Sequence, residues 1–246
     1  MSRPSPTTLF EALKMPGALA CYQKLQPTRA DPYQMCLQAL EAEVRTRRDR
    51  AMTRRLRQAK FPMAKEWGEL DRSLNPTIGF DRIATYLDGT FVEQRRNLCF
   101  MGTQGTGKTH CLIALGRELC RKGYTVRFYT ACELVTALEE AKQQLVLSPL
   151  MAALRKPNLL IIDELGFVPF SDNGARLLFE VFAGRYERGA IAVSTNLTFD
   201  KWVEVFGSIE LTAALLDRFT HRAEVVPFAG QSVRVFQTKQ QIAGTG

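Results

Sequence analysis

Histidine is nearly absent from this chain, with only His110 and His221. The six cysteines (Cys21, Cys36, Cys99, Cys111, Cys120 and Cys132) are scattered with no C-x-x-C spacing. So few nitrogen and sulfur ligands, so placed, argue against a zinc site, and free thiols in a reducing cytoplasm are the expectation. No apolar run approaches the roughly 20 residues that cross a bilayer. Glu11 and Lys14 cut short any signal-peptide core near the start, so no signal peptide and no membrane partner are expected. Internal repeats and low-complexity tracts are also missing. What remains is an ordinary soluble composition, 46% hydrophobic and 24% charged. The 246 residues suffice for one α/β core and a smaller appendage.

Charge of one sign is concentrated. The formal net charge is +8. Between Arg45 and Lys65 stand nine basic residues against Asp49 alone, nine minus one, so this block holds the whole excess. The rest of the chain balances. A localised cationic block is an electrostatic footprint for a polyanion. A helix is expected from Pro32 or Tyr33 to about Lys60, with Leu37, Leu40, Val44 and Ala51 near helical spacing and Pro62 as its stop. On it Arg47, Arg50, Arg54 and Arg57 recur at i, i+3, i+7 and i+10, which puts them on one face. Arg48, Arg55 and Lys60 extend the charge. The block is almost free of acids, so i,i+4 ion pairs do not explain it. Arginines without interleaved aromatics fit duplex DNA backbone better than single-strand stacking. A solvated helix face is the plainer alternative.

Before that helix, Leu9, Leu13 and Met15 lie in a short amphipathic stretch broken by Pro16 and Gly17. After it, residues from about Phe61 to Gly79 carry two prolines, show no clear period and suit a linker. The expected division is therefore a helical N-terminal domain over residues 1–76 and a second domain over 77–246. In the second, strands alternate with helices: Leu98–Met101, Thr125–Tyr129, Leu159–Ile162, Ile191–Ser194 and Glu224–Pro227, with a helix over Lys108–Lys122 and room for two between Ala131 and Lys156. That alternation predicts an α/β fold with a five-stranded parallel sheet covered on both faces.

Three strand ends carry chemistry. Gly102-Thr103-Gln104-Gly105-Thr106-Gly107-Lys108-Thr109 matches G-x-x-x-x-G-K-[ST] between an apolar strand and a helical pattern, the context a P-loop requires. The glycines let main-chain N–H groups turn onto phosphates, and the helix that follows aims its positive end at them. Lys108 then reaches the β/γ-phosphates and the Thr109 hydroxyl ligates Mg²⁺. Leu159–Ile162 is an aliphatic run ending in Asp163-Glu164, which predicts a buried strand presenting carboxylates at its carboxyl end. Asp163 is expected to hold Mg²⁺ through its water shell, and Glu164 to polarise the attacking water. Asn196 ends a third apolar strand and is read as a γ-phosphate or water contact, or alternatively as a turn cap. Arg218, after Leu216-Asp217, is a candidate arginine finger for a neighbouring subunit, with Arg222 as the competing choice. Arg234 follows the last strand and is a candidate phosphate contact.

These residues resemble the IstB family. The resemblance rests on the P-loop running into Thr109-His110, on Leu160-Ile161-Ile162-Asp163-Glu164-Leu165-Gly166-Phe167 and on Arg185-Tyr186-Glu187-Arg188-Gly189. Ser194-Thr195-Asn196-Leu197, Leu216-Asp217-Arg218 and Leu13-Lys14-Met15-Pro16-Gly17 extend it, over about Leu13 to Val235. The family comprises AAA+ ATPase helpers of IstA/IstB-type insertion sequences and is close to DnaC helicase loaders. The resemblance implies a P-loop NTPase of the AAA+ class that binds ATP, with His110 beside the nucleotide, and oligomerises on duplex DNA to support an IstA-type transposase in target choice. It also implies that Ala131–Lys156 faces DNA. Two positions depart from the family pattern: Thr103-Gln104 where many relatives carry proline, and Val233 in the usual Ser-Tyr-Arg. A helicase loader and an ATP-stabilised DNA-coating protein are the alternative functions.

Overall fold

The structure, a computed structural model, describes residues 5–25, 31–73, 75–233 and 236. It forms two compact units, Met1–Arg54 and Arg55–Gly246. The first holds α1 (Pro6–Ala12), α2 (Pro16–Leu25) and most of α3 (Pro32–Ala59). The first helical stretch breaks ahead of Pro16, α1 ending at Ala12. Pro16 then opens α2, because a first-turn proline has no N–H to lose. The Glu43 carboxylate on α3 then accepts hydrogen bonds from the N–H groups of Gly17 (2.8 Å) and Ala18 (3.3 Å), closing the start of α2. Gly17 is required at that crossing, since a Cβ there would lie 2.2 Å from Thr46 Oγ1 and 2.9 Å from the Ala42 carbonyl. Among the described residues, only Ala18, Ala39 and Glu43 of this unit are fully buried. Leu37, Leu40 and Val44, which keep helical spacing, are exposed.

The second unit is built on five parallel strands, β1 (Asn97–Gly102), β2 (Val126–Thr130), β3 (Leu159–Leu165), β4 (Ala190–Thr195) and β5 (Ala223–Phe228), in the order β2-β3-β4-β1-β5. Helices α4 (Phe80–Thr85), α5 (Thr90–Glu93), α6 (Lys108–Lys122), α7 (Ala131–Gln143), α8 (Leu147–Arg155), α9 (Asp172–Arg185), α10 (Trp202–Phe206) and α11 (Ile209–Thr220) complete it. Successive strand side chains enter opposite layers, as the two-residue period demands. Leu98, Phe100, Leu159 and Ile161 join one apolar cluster with Leu112 and Leu115 of α6. Cys99, Leu160, Ile162 and Val193 join the other with Leu178 of α9 and Trp202. Each such side chain contributes about 1.5–3 kcal/mol by leaving water, so the sheet is fixed from both sides. All six cysteines are free thiols.

The boundary lies at Arg54/Arg55 rather than at 76/77, and Phe61–Gly79 is not a linker. Ala59 is buried in the first apolar cluster, with Leu56, Phe61, Trp67 and Leu70 packed against it. Glu66 and Glu69 form a reciprocal capping box around a short 3₁₀ turn, Trp67–Glu69. Arg55 Nε donates to the Cys120 carbonyl at 2.8 Å. Apolar residues without a regular period were enough to recruit this segment to the larger core.

Candidate nucleotide-binding site

The P-loop joins β1 to α6, and its glycines are conformationally necessary. Gly105 has φ 77° and Gly107 φ 103°, in the region where L side chains are strained. At Gly102 (φ 150°) a Cβ would sit 2.0 Å from the Phe228 carbonyl, so the loop passes against β5. A Cβ at Gly107 would meet nothing within 4 Å, so the loop is open there at the start of α6. Lys108, only 8% exposed, donates from Nζ to the carbonyls of Gly102 and Thr103, both at 2.7 Å. Thr106 Oγ1 also donates to the Thr103 carbonyl, at 2.8 Å. The lysine is thus tucked into its own loop, one side-chain swing from a phosphate lying on the loop's amides.

Asp163 is buried behind the loop at the end of β3. Its Oδ1 accepts from Thr109 Oγ1 at 3.2 Å and from Ser194 Oγ. Burial pushes its carboxyl above the ordinary range, and the hydroxyls of Ser194 and Thr109 offset that only in part. A cation beside Thr109 would favour its charged form. The next residue is turned outward. Glu164 has φ 59°, and the pairing of β3 with β4 shifts register between Ile162 and Leu165. A bulge of this kind re-aims a side chain, and it places exposed Glu164 in the cleft while Asp163 stays inside. The left-handed backbone costs about 1–3 kcal/mol. The bond from Glu164 N–H to Ser194 Oγ at 2.9 Å holds it.

The cleft above the loop has a volume of about 850 Å³. Gln104, Gly105, Thr106, Gly107, Lys108, Thr109 and His110 form its floor, and Glu164, Phe167 and Asn196 one side. The other side is Met63–Lys65, Glu69–Asp71 and Phe80. Sequence reasoning missed this second wall. Its legible signals were Trp67 and Leu70, large apolar residues inside the expected linker, and Phe80 just after it. The loop donors, the flexible lysine and the Thr109–Asp163 pair fit a magnesium-bound triphosphate. Gly102, Thr103 and Asp163 are not on the cleft surface; the first two contribute carbonyls that hold Lys108.

Other candidates lie elsewhere. Arg218 does not line the cleft. It donates to the Ala214 carbonyl at 2.8 Å and lies over the Phe179 ring at 5.3 Å. Arg222 pairs with Glu187 at 3.7 Å. Both line a small hollow with Arg95 and Asn97, at the amino edge of the sheet and away from the P-loop. Arg234 is outside the described residues. On α3, Arg45, Arg48, Arg50, Arg54 and Arg57 are exposed, as is Lys60 just after it. Arg47 is paired: its Nε lies 2.7 Å from Glu43, one turn earlier, so the expectation of no i,i+4 partner fails for this residue. Arg55 is half-buried on its carbonyl partner.

The family model described as IstB-like ATP binding protein matches residues 9–241. An insertion sequence IS5376 ATP-binding protein of Geobacillus stearothermophilus is 34% identical over 202 residues, 82% of this chain and 80% of that protein. The insertion sequence IS21 ATP-binding protein of Pseudomonas aeruginosa is 35% identical over 206 residues, 84% and 77% of the two chains. Among solved structures, AMPPCP-bound DnaA of Aquifex aeolicus superposes with a TM-score of 0.57 at 20% identity, over 73% of this chain and 55% of that one. The DnaC helicase loader gives 0.52 at 18% identity, over 61% and 88%. This chain thus spans just over half the length of DnaA. The two structural likenesses identify the fold, a five-stranded parallel sheet carrying a P-loop. With its P-loop, its Asp163-Glu164 strand end and a family match running nearly end to end, the chain belongs to the IstB-like ATP-binding proteins of insertion sequences.

Proposed function

We propose that this protein is a magnesium-dependent ATPase that assembles as an oligomer on duplex DNA and assists an IstA-type transposase in choosing or activating its target. The observation that carries the proposal is the set Lys108, Thr109, Asp163 and Glu164, a buried carboxylate paired to the P-loop threonine with an outward carboxylate beside it. ATP would lie with its phosphates on the amides of Gly105–Thr109, and Lys108 would exchange the Gly102 and Thr103 carbonyls for phosphate oxygens. Thr109 and Asp163 would hold Mg²⁺, which when bound neutralises charge on the β- and γ-phosphates. Glu164 orients the attacking water from the cleft side, and Asn196 contacts the γ-phosphate or that water. Arg218, at the far edge of the sheet, is then free to serve a second copy's nucleotide. The exposed arginines of α3 supply phosphate-backbone contacts, which position a protein on DNA without reading sequence.

The named insertion-sequence relatives support a transposase partner. The fold shared with the DnaC loader supports a second reading, in which the N-terminal unit grips a replicative helicase. Sedimentation on duplex DNA tests the first. With ATP the native chain should form large assemblies, Glu164→Gln should form them and hydrolyse slowly, and Lys108→Ala should form none. Native-like assembly by Lys108→Ala overturns the assignment. Co-purification with a helicase but not with a transposase would favour the loader.

A further inference from the structure

The cleft wall that the sequence concealed packs on the core through Phe61, Trp67 and Leu70 and is tied to the P-loop helix by the polar contacts of Glu66. Glu66 sits between Met63–Lys65 and Glu69–Asp71, both of which line the cleft, yet it does not line the cleft itself. Its carboxylate accepts from Arg117 Nε (3.0 Å) and Nη2 (2.6 Å), and from Arg121 Nη2 at 2.7 Å on each oxygen. Its carbonyl lies 3.0 Å from His110 Nε2, next to the P-loop threonine. Both ends of Glu66 are therefore tied to α6, the carbonyl near its first turn and the side chain two to three turns on. Burial pushes the Glu66 carboxyl up, but the Arg121 and Arg117 bonds outweigh it and hold the group below its ordinary value.

We infer that Glu66 is a positioning residue that latches residues 63–71 against α6, and so sets how well the cleft holds the base and ribose of its nucleotide. The inference rests on ATP occupying the cleft. With the triphosphate on the loop and its γ end toward Glu164 and Asn196, the nucleoside end must extend toward Met63, Leu70 and Phe80. Glu66 touches no part of the ligand. It fixes the wall that does. Charge-assisted, two-point arginine pairs are strong and geometrically specific, which suits a part whose task is placement.

A comparison of two probes on the full-length chain isolates this role. Inorganic tripolyphosphate with Mg²⁺ engages only the loop, whereas ATP with Mg²⁺ engages loop and wall. By calorimetry, Glu66→Gln should weaken ATP about tenfold, the order of one missing charge-assisted pair, and leave tripolyphosphate within about twofold. Arg117→Gln combined with Arg121→Gln should give the same selective loss, and adding Glu66→Gln should cost little more, because the three act as a unit. A parallel loss of both probes, unchanged ATP affinity, or full additivity would overturn the latch. If the native chain bound neither probe, the nucleotide assignment itself would fall instead.

Discussion

The two units of this molecule solve the folding problem differently. The P-loop unit buries strand and helix side chains in two apolar layers on either face of its sheet. Among its described residues the N-terminal unit fully buries only Ala18 and Ala39 of its apolar side chains, and it leaves Leu37, Leu40 and Val44 on its surface. It is held by fitted polar detail: a serine cap at α1, the Glu43 carboxylate on the α2 amides and a glycine at the helix crossing. A large core tolerates single errors and can hold a strained residue such as Glu164. A thin unit cannot, and its information lies in its surface charge.

The sharpest test of this contrast acts through the P-loop unit. Arg218→Ala should lower DNA-stimulated hydrolysis by about 10³–10⁵-fold without weakening DNA binding by α3. Mixing it with Glu164→Gln subunits, which retain Arg218, should restore turnover; no recovery would remove the trans-acting role. Glu164→Gln alone should slow steady-state hydrolysis by about 10²–10⁴-fold with ATP affinity preserved.

The N-terminal unit should respond in the opposite sense. Replacing Arg48, Arg50 and Arg54 together by glutamine should flatten the salt dependence of DNA binding by about 0.9 in logarithmic slope for each phosphate no longer neutralised. Hydrolysis without DNA should not change, and an unaltered slope would discard α3 as the binding face. Gly17→Val should cost about 1–3 kcal/mol by overpacking against the Ala42 carbonyl, seen as reduced protection in α1–α3 under hydrogen exchange with ATP binding intact. The smallest effect is on pH. Burial raises the Glu43 carboxyl, but Arg47 and the amides of Ala18 and Gly17 outweigh it and depress its folded value. Its contribution is therefore present above the ordinary carboxylate range and lost as the pH falls through the depressed value. The α1–α2 region should loosen as the pH falls below the ordinary carboxylate range, and Glu43→Gln should remove that dependence.

Much of the site was legible because its chemistry is local in sequence. The G-x-x-x-x-G-K-T spacing and the carboxylates after Leu159–Ile162 specify backbone shapes and charges that need little context. The five strands were legible from their apolar runs, and the split of Ala131–Lys156 into α7 and α8 from its length. The wall at residues 63–71 was not, because prolines and an irregular period look the same whether a segment is solvated or laid on a core. The outward turn of Glu164 was also hidden, since a bulge depends on which residues β4 pairs. Arg47 and Arg55 were grouped with the free arginines because their partners, Glu43 and the Cys120 carbonyl, lay outside the window of charge being counted.

By itself the sequence determined the nucleotide class, the order of strands and helices along the chain, and the place of the excess positive charge. These follow from residue type and short-range spacing, which act before the chain is compact. Tertiary structure alone decided that Phe61–Gly79 belongs to the P-loop unit, that Asp163 faces inward while Glu164 faces the cleft, and that Arg218 is away from the P-loop cleft. Each of these depends on which distant segments share a surface, and burial settles that only once the sheet has closed between its two layers.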